Sequence, residues 1–121
     1  MEERRRFVRL DTRLPVTYRV LPAPESTQSV TKDIGGSGIC VFLSEPLRPG
    51  TRLQIDIELP DQERPLLFTG EVVWCEQYEI ISKTQRERSV EAGVKFLQIA
   101  PQDQDAIMRY VILSLQPHRA A

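Results

Sequence analysis

The sequence predicts an all-β or β-rich α+β fold: a six-stranded antiparallel β-barrel with one C-terminal amphipathic α-helix. Three observations lead to this prediction. Short segments alternate apolar and polar residues with period two, as half-buried strands do. Proline, glycine and polar clusters separate these segments. Only the last segment repeats its apolar residues every three or four positions, which is typical of a helix packed on a core.

The predicted strands follow one another along the chain. The first begins at Pro15, where Val16, Tyr18 and Val20 alternate with polar residues. Five more are predicted, at residues 29–34, 39–43, 52–59, 66–75 and 90–96. The strand 52–59 alternates most regularly, which indicates an antiparallel sheet with one face on a core and the other in water. Gly70 lies inside the next strand and predicts a bulge or a barrel bend.

The remaining segments complete a single predicted domain over residues 1–121. Residues 76–87 are polar, and we expect either a mobile loop or an extended hairpin tip. Pro101 suits the first turn of the helix, and Asp103 and Asp105 suit the positive end of its dipole. The expected division is a flexible basic arm at 1–11, a barrel at 12–98 and a helix at 101–116.

Composition excludes several classes of function. The net charge of −1 gives no global field for nucleic acid or an anionic membrane, so an anion site must be a local cluster. The only histidine, His118, lies in the C-terminal tail, so neither a catalytic set nor a metal site can be assembled around it. Cys40 and Cys75 lack CxxC spacing, and we expect them to pack as small apolar groups instead of forming a disulfide.

The same sequence predicts a cytoplasmic protein that is not an enzyme and needs no cofactor. No apolar stretch at the N-terminus resembles a signal peptide. No window approaches the roughly 18 uninterrupted apolar residues of a membrane span, so membrane insertion is not expected.

A basic run near the N-terminus is the first candidate for a binding site. It contains Arg4, Arg5 and Arg9, with Phe7 and Val8 as an apolar handle. A solvated charged arm is the alternative interpretation. Arginine, however, forms bidentate contacts with phosphate and with guanine. Arg5 and Arg9 form an Arg-x-x-x-Arg pair, and Arg9 and Arg13 form a second one, between which spacing alone does not choose.

A glycine-rich turn at residues 33–38 is the second candidate. Asp33 stands at its entrance and could accept hydrogen bonds from the N1–H and N2–H of guanine. Gly35 and Gly38 would let the backbone approach a ligand closely. The alternative is an ordinary hairpin turn capped by an aspartate. Trp74, the only tryptophan, is either a core or barrel-end aromatic or a platform on which a purine stacks.

These motifs, in this order and at this spacing, resemble the PilZ domain family. The resemblance rests on Arg4-Arg5-x-x-x-Arg9, Pro15-Val16-x-Tyr18 and Asp33-x-Gly35-x-x-Gly38, with two late segments, residues 70–74 and 93–96. It spans residues 4 to about 115 and implies a six-stranded barrel that binds cyclic di-GMP, a bacterial second messenger.

The resemblance also implies roles for individual residues. Arg5 and Arg9, with Arg4 as an auxiliary, would engage phosphates and the guanine edge. Asp33 would bind the Watson–Crick edge of a guanine, Gly38 would form the close turn, and Trp74 would lie beside the ligand. Gly35 departs from the family pattern, which has a serine there, and removes one ligand hydrogen bond worth up to about tenfold in affinity.

We therefore expect a cyclic di-GMP receptor whose arginine arm closes on the ligand and changes the surface seen by an unidentified downstream protein. The alternative is a PilZ-like adaptor that binds no ligand, or binds it weakly, and acts through protein contacts. A small barrel that binds RNA fits the fold class but not the net charge, so no nucleic acid polymer is expected as a partner.

Overall fold

The strands close into a ring because each one pairs with the next around the barrel. The computed structural model describes residues 8–115. Its elements are β1 (Arg9–Asp11), β2 (Pro15–Val20), β3 (Ser26–Gly35), β4 (Gly38–Leu43), β5 (Arg52–Ile57), β6 (Leu66–Ile81), β7 (Arg86–Ile99) and α1 (Pro101–Leu115). The sheet order is β1-β3-β2-β5-β6-β7-β4, and an additional β3–β4 pairing closes a six-stranded antiparallel barrel. The predicted fold class is confirmed.

The interior of the barrel is filled by the apolar positions of the alternating strands. Leu53, Ile55 and Ile57 of β5 are fully buried, as the period-two pattern predicted. On α1, Ile107 and Val111 are buried and belong to the same apolar cluster as the barrel interior. The helix therefore covers the β1–β3 side of the barrel with its apolar stripe.

The β6–β7 hairpin is longer than predicted. Residues 76–87 were expected to be a mobile loop or an extended hairpin tip, and the structure shows the hairpin, with β6 and β7 paired out to Ile81 and Arg86. The β6–β7 register shifts between Thr69 and Gly70 and again between Val72 and Trp74. The first shift lies beside Gly70, where a bulge or a barrel bend was predicted, but the residue left without a partner there is Leu97 of β7.

The basic arm requires a correction. Residues 1–11 were expected to be a flexible basic arm, but Arg9, Leu10 and Asp11 form β1, which pairs with residues 33–35 of β3. Three residues show no periodicity, and this strand forms because the backbone of β3 continues beyond the end of β2 and offers a free edge. Residues 1–7, with Arg4 and Arg5, lie outside the described part of the chain.

Other features of the described chain bear on what the protein can do. Cys40 and Cys75 are both free thiols, as predicted. Among residues 8–115, no helix is long and apolar enough to cross a membrane.

Candidate functional site

A row of four residues crosses the outer face of the barrel next to the glycine-rich turn. Asp33 of β3 pairs with Cys40 of β4, Cys40 pairs with Gly93 of β7, and Gly93 pairs with Trp74 of β6. Directly opposed residues in neighbouring strands project on the same face of a sheet. The strand register therefore brings Asp33 and Trp74, which are far apart in sequence, to the two ends of one row.

A cavity of about 330 Å³ lies over this row. Its walls come from five segments of the barrel, and its lining residues are Arg9, Asp33, Ser37, Gly38, Ile39, Cys40, Val73, Trp74, Gly93, Val94 and Lys95. Two cationic side chains, one carboxylate and one indole therefore face the same space.

Arg9 and Asp33 form the polar end of the cavity. The Arg9 Nε donates to Asp33 Oδ1 at 2.8 Å, and Arg9 Nη2 lies 2.6 Å from the same oxygen. Arg9 Nη2 also donates to the carbonyl oxygen of Gly38 at 3.3 Å. The Arg9 and Asp33 side chains are 19% and 26% exposed, so their ion pair is less screened than one on the open surface.

Both side chains are positioned by main-chain pairing. Arg9 lies opposite Gly35 in the β1–β3 ladder, two positions from Asp33 on the neighbouring strand. Both contacts of Arg9 with Asp33 converge on Oδ1, and within residues 8–115 Oδ2 is available to accept a further hydrogen bond. The pair thus presents an acceptor and guanidinium donors side by side.

Two glycines of the turn are required by close approaches. A Cβ at Gly38 would collide with the backbone carbonyl of Val94 on β7. A Cβ at Gly35 would lie 2.9 Å from the carbonyl oxygen of Val8 and 3.3 Å from Arg9 Cγ. Glycine at position 35 therefore lets β1 approach β3 closely, which brings Arg9 to Asp33.

The turn is also held from two neighbouring elements. Gln104 Nε2 on α1 donates to the carbonyl oxygen of Gly36 at 2.7 Å. The backbone N–H of Phe96 donates to the carbonyl oxygen of Ser37 at 3.0 Å. The helix and β7 therefore fix a glycine-rich segment that would otherwise be flexible.

Trp74 forms the apolar end of the cavity. Its side chain is 40% exposed, so it is not a core residue. A Cβ at Gly93 would collide with the indole ring, whose Nε1 and Cε2 are the atoms nearest to that position. The ring therefore lies across the backbone of Gly93, along the surface of the sheet.

Cys40 lies in the floor of the cavity and was not predicted as a site residue. Its side chain is buried, and burial, with the nearby carboxylates of Asp33 and Glu91, raises the pKa of its thiol to about 12. Gly93 and Lys95 were also missed as site residues. An isolated glycine in a strand signals a close approach, so Gly93 carried a detectable signal, whereas Cys40 and Lys95 are identified only by the strand register.

Of the two overlapping Arg-x-x-x-Arg pairs, the described residues include Arg9 and Arg13, and these two side chains lie in different places. Arg9 lines the cavity, whereas Arg13 Nη1 donates to Asp11 Oδ1 at 2.9 Å and to the Lys32 carbonyl oxygen at 2.8 Å. The guanidinium of Arg13 also lies 5.5 Å from the centre of the Phe42 ring, away from the cavity lining. Arg4 and Arg5 lie outside the described residues, and their predicted roles remain predictions.

The sequence-predicted residues in the described range lie together. Arg9, Asp33, Gly38 and Trp74 line the cavity, and Gly35 lies beneath Arg9. A family model described as "PilZ domain" matches residues 3–113 of the chain. The chain belongs to the PilZ domain family.

Solved structures of other PilZ proteins share this fold. The inhibitor of motility MotI/DgrA of Bacillus subtilis matches with a TM-score of 0.70 and 25% identity over 93% of this chain. This PilZ chain covers 52% of that protein, about half its length. The comparison with curated proteins finds no match.

Two further structures contain cyclic di-GMP. The PilZ domain of YcgR from Escherichia coli with c-di-GMP matches with a TM-score of 0.73 and 17% identity, covering 92% of this chain and 91% of that one. The K. pneumonia MrkH–c-di-GMP complex matches with a TM-score of 0.72 and 16% identity, covering 94% of this chain and 52% of that one. At these identities the likeness establishes the fold.

Proposed function

We propose that this PilZ domain is a receptor for cyclic di-GMP and that the cavity over the Asp33–Trp74 row holds one guanine of the ligand. The observation that carries the proposal is the Arg9–Asp33 pair at one end of a cavity whose other end is an exposed indole. Two solved PilZ neighbours that contain c-di-GMP support the choice of ligand.

The chemistry of the two ends matches a guanine. The available Oδ2 of Asp33 accepts from the N1–H of the base, and Arg9 donates to the adjacent O6. Trp74 stacks on the purine face, a contact worth about 1–3 kcal/mol. Lys95, which also lines the cavity, contributes a positive charge for the phosphates.

The rest of the ligand needs a cover that the cavity does not provide. A volume of about 330 Å³ is at the small end of ligand pockets, and a cyclic dinucleotide is too large to be enclosed by it. We propose that Arg4 and Arg5 close over the exposed phosphates. Because Arg9 is already docked in β1, the closing arm consists of the residues that precede Val8. The surface created by this closure is what a downstream protein would recognise.

Calorimetric titration of cyclic di-GMP tests the site. Arg9→Ala and Asp33→Ala each remove a charge-assisted hydrogen bond, so we expect each to weaken binding about tenfold to a hundredfold. Arg13→Ala is the matched control, because Arg13 lies on the same segment but outside the cavity lining, and we expect its affinity to equal that of the wild type. Equal affinities for all four proteins would exclude this site.

The second candidate function is a ligand-free adaptor, and Gly35 favours it because the serine of the family motif is absent. Thermal denaturation with excess cyclic di-GMP distinguishes the two. A ligand at a hundred times its Kd stabilises the folded state by about 2.7 kcal/mol, so a receptor must melt at a higher temperature. An unchanged melting temperature would favour the adaptor.

A further inference from the structure

Strand β6 has an open edge along its outer half. Residues 66–71 of β6 pair with β5, and Val72 exchanges backbone hydrogen bonds with Gly50 and Thr51. Beyond Val72, β6 pairs only with β7 within the described part of the chain. We call the side of residues 73–81 that faces away from β7 the open edge.

The backbone of this segment points unpaired groups at the open edge. In the hairpin turn, the N–H of Ser82 donates to the carbonyl oxygen of Gln85 at 2.9 Å. From this pair, β6 and β7 keep the same register without a shift as far as the Trp74–Gly93 pair. Hydrogen-bonded and non-hydrogen-bonded pairs alternate in an antiparallel ladder. The backbone groups of Cys75, Gln77, Glu79 and Ile81 therefore point away from β7. Such a row is a template for another strand.

The opposite edge of the same hairpin is less suited to pairing. Only residues 86–89 of β7 extend beyond the β4 ladder, and three of these four residues are charged. Charged side chains are a common protection of sheet edges. The β6 segment instead exposes Tyr78, Ile80 and Ile81, with Ile81 68% exposed. The β6 edge is thus both the longer and the more apolar of the two.

We propose that a second copy of this chain pairs with the open edge, antiparallel, with a two-fold axis at Gln77. Gln77 is the central residue of the segment 73–81, so an axis there pairs the whole edge with its symmetry mate. The proposal goes beyond the receptor function and does not depend on a ligand.

The side chains are compatible with this axis. With the axis at Gln77, Trp74 faces Ile80 of the second copy and Val73 faces Ile81. Glu76 faces Tyr78 of the second copy, although within each chain the Tyr78 hydroxyl already donates to Glu76 Oε1 at 2.6 Å. An axis at Glu76 or at Glu79 would instead place two identical carboxylates directly opposite each other, which is unfavourable. The position of Gln77 within the edge therefore selects the register, and side-chain pairing disfavours two of the alternatives.

This dimer would add residues to the candidate ligand site. Val73 and Trp74 line the cavity. Their counterparts across the interface are the hairpin tip residues Ile81 and Ile80 of the second copy, which would lie at the rim. Because one strand pair buries less than the roughly 1,200–2,000 Å² of a standard interface, we expect a dimer that dissociates on dilution.

Sedimentation velocity over a concentration series tests the dimer. Gln77→Pro removes an N–H that points at the open edge, and with it both symmetric hydrogen bonds at the axis. We therefore expect the dissociation constant of the dimer to increase about tenfold. Arg88→Pro is the matched control, since its N–H points at the opposite edge of the hairpin. Both substitutions also remove the Arg88–Gln77 side-chain hydrogen bond, so the two variants differ in which edge of the hairpin loses its N–H. A monomeric wild type, or equal dissociation of the two variants, would overturn the proposal.

A crosslink tests the register without introducing proline. In the proposed pairing, Glu79 lies opposite Cys75 of the second copy, at a separation that a disulfide can span. We expect Glu79→Cys to form a covalent dimer under mild oxidation, with the 75–79 linkage identified by mass spectrometry. Glu87→Cys, on the β7 strand, should remain monomeric under the same conditions. A linkage other than 75–79, or none in the Glu79→Cys variant, contradicts the register.

Discussion

Gly93 determines where the indole of Trp74 can lie. The ring occupies the space in which a side chain at position 93 would begin. The two residues are directly paired across β6 and β7, beside the second register shift. The bulge therefore aims Trp74 over its neighbour, and the missing Cβ lets the ring lie along the sheet as a flat wall of the cavity.

We predict that Gly93→Ala is destabilising only because of Trp74. The added methyl group must displace the indole, and overpacking of this kind costs about 1–3 kcal/mol of unfolding free energy. In the Trp74→Ala background the same substitution should cost much less. Urea denaturation of the wild type, both single variants and the double variant measures this coupling. Additive effects would show that the ring does not depend on Gly93.

Only those site residues that belong to a recognisable motif could be predicted from the sequence. Arg9, Asp33 and Gly38 belong to local patterns with recognisable chemistry. Cys40 and Lys95 have no such pattern, and they reach the cavity because β4 and β7 pair in one particular register. Register between distant strands depends on the whole set of apolar contacts, so neither residue could be identified from its own neighbours in sequence.

Gly35, which stands where the family pattern has a serine, affects the position of strand β1. Gly35 allows the carbonyl of Val8 to approach β3, and this contact closes the short β1 ladder. The glycine that removes a motif hydroxyl thus also docks Arg9 before any ligand arrives.

We predict that Gly35→Ala loosens β1. The added Cβ would lie 2.9 Å from the Val8 carbonyl oxygen, which is too close, so β1 must move outward. Amide hydrogen exchange at residues 9–11 should accelerate while that of β5 stays unchanged. Protection of residues 9–11 equal to that of the wild type would show that β1 tolerates a side chain at position 35.

Helix α1 is the element for which sequence and structure agree best. The three- and four-residue repeat predicted residues 101–116, and the described helix spans Pro101–Leu115. The pattern was reliable because all of its information is local. β1 was missed for the opposite reason, since three residues hold no period and their pairing partner is more than twenty positions away.

We predict unequal costs for two isoleucines of α1. Ile107 is fully buried against the barrel, so Ile107→Ala should lower the free energy of unfolding by about 2–5 kcal/mol. Ile112 is 54% exposed, and Ile112→Ala is the matched control with an expected change within about 0.5 kcal/mol. Chemical denaturation of both variants provides the comparison. Equal losses would mean that the helix does not pack as described.

Over the whole molecule, charge is balanced and any attraction for an anion must be local. The net charge is −1, so long-range steering of a dinucleotide is weak. At the cavity, Arg9 is ion-paired with Asp33, and Lys95 adds a further positive charge.

We predict that cyclic di-GMP affinity falls as salt rises, because phosphate contacts are screened once the Debye length drops from about 10 Å at 0.1 M to about 3 Å at 1 M. Titrations at several salt concentrations measure this dependence. Lys95→Met should reduce the slope, whereas Arg13→Ala should not. An affinity independent of salt would argue against phosphate contacts in the complex.

The thiol in the floor of the cavity has a consequence for cells under oxidative stress. The thiolate is the form that attacks peroxides and disulfides, and with a pKa of about 12 the Cys40 sulfur is almost entirely protonated at neutral pH. The candidate site should thus be insensitive to cellular redox poise, although a cysteine lies directly beneath it.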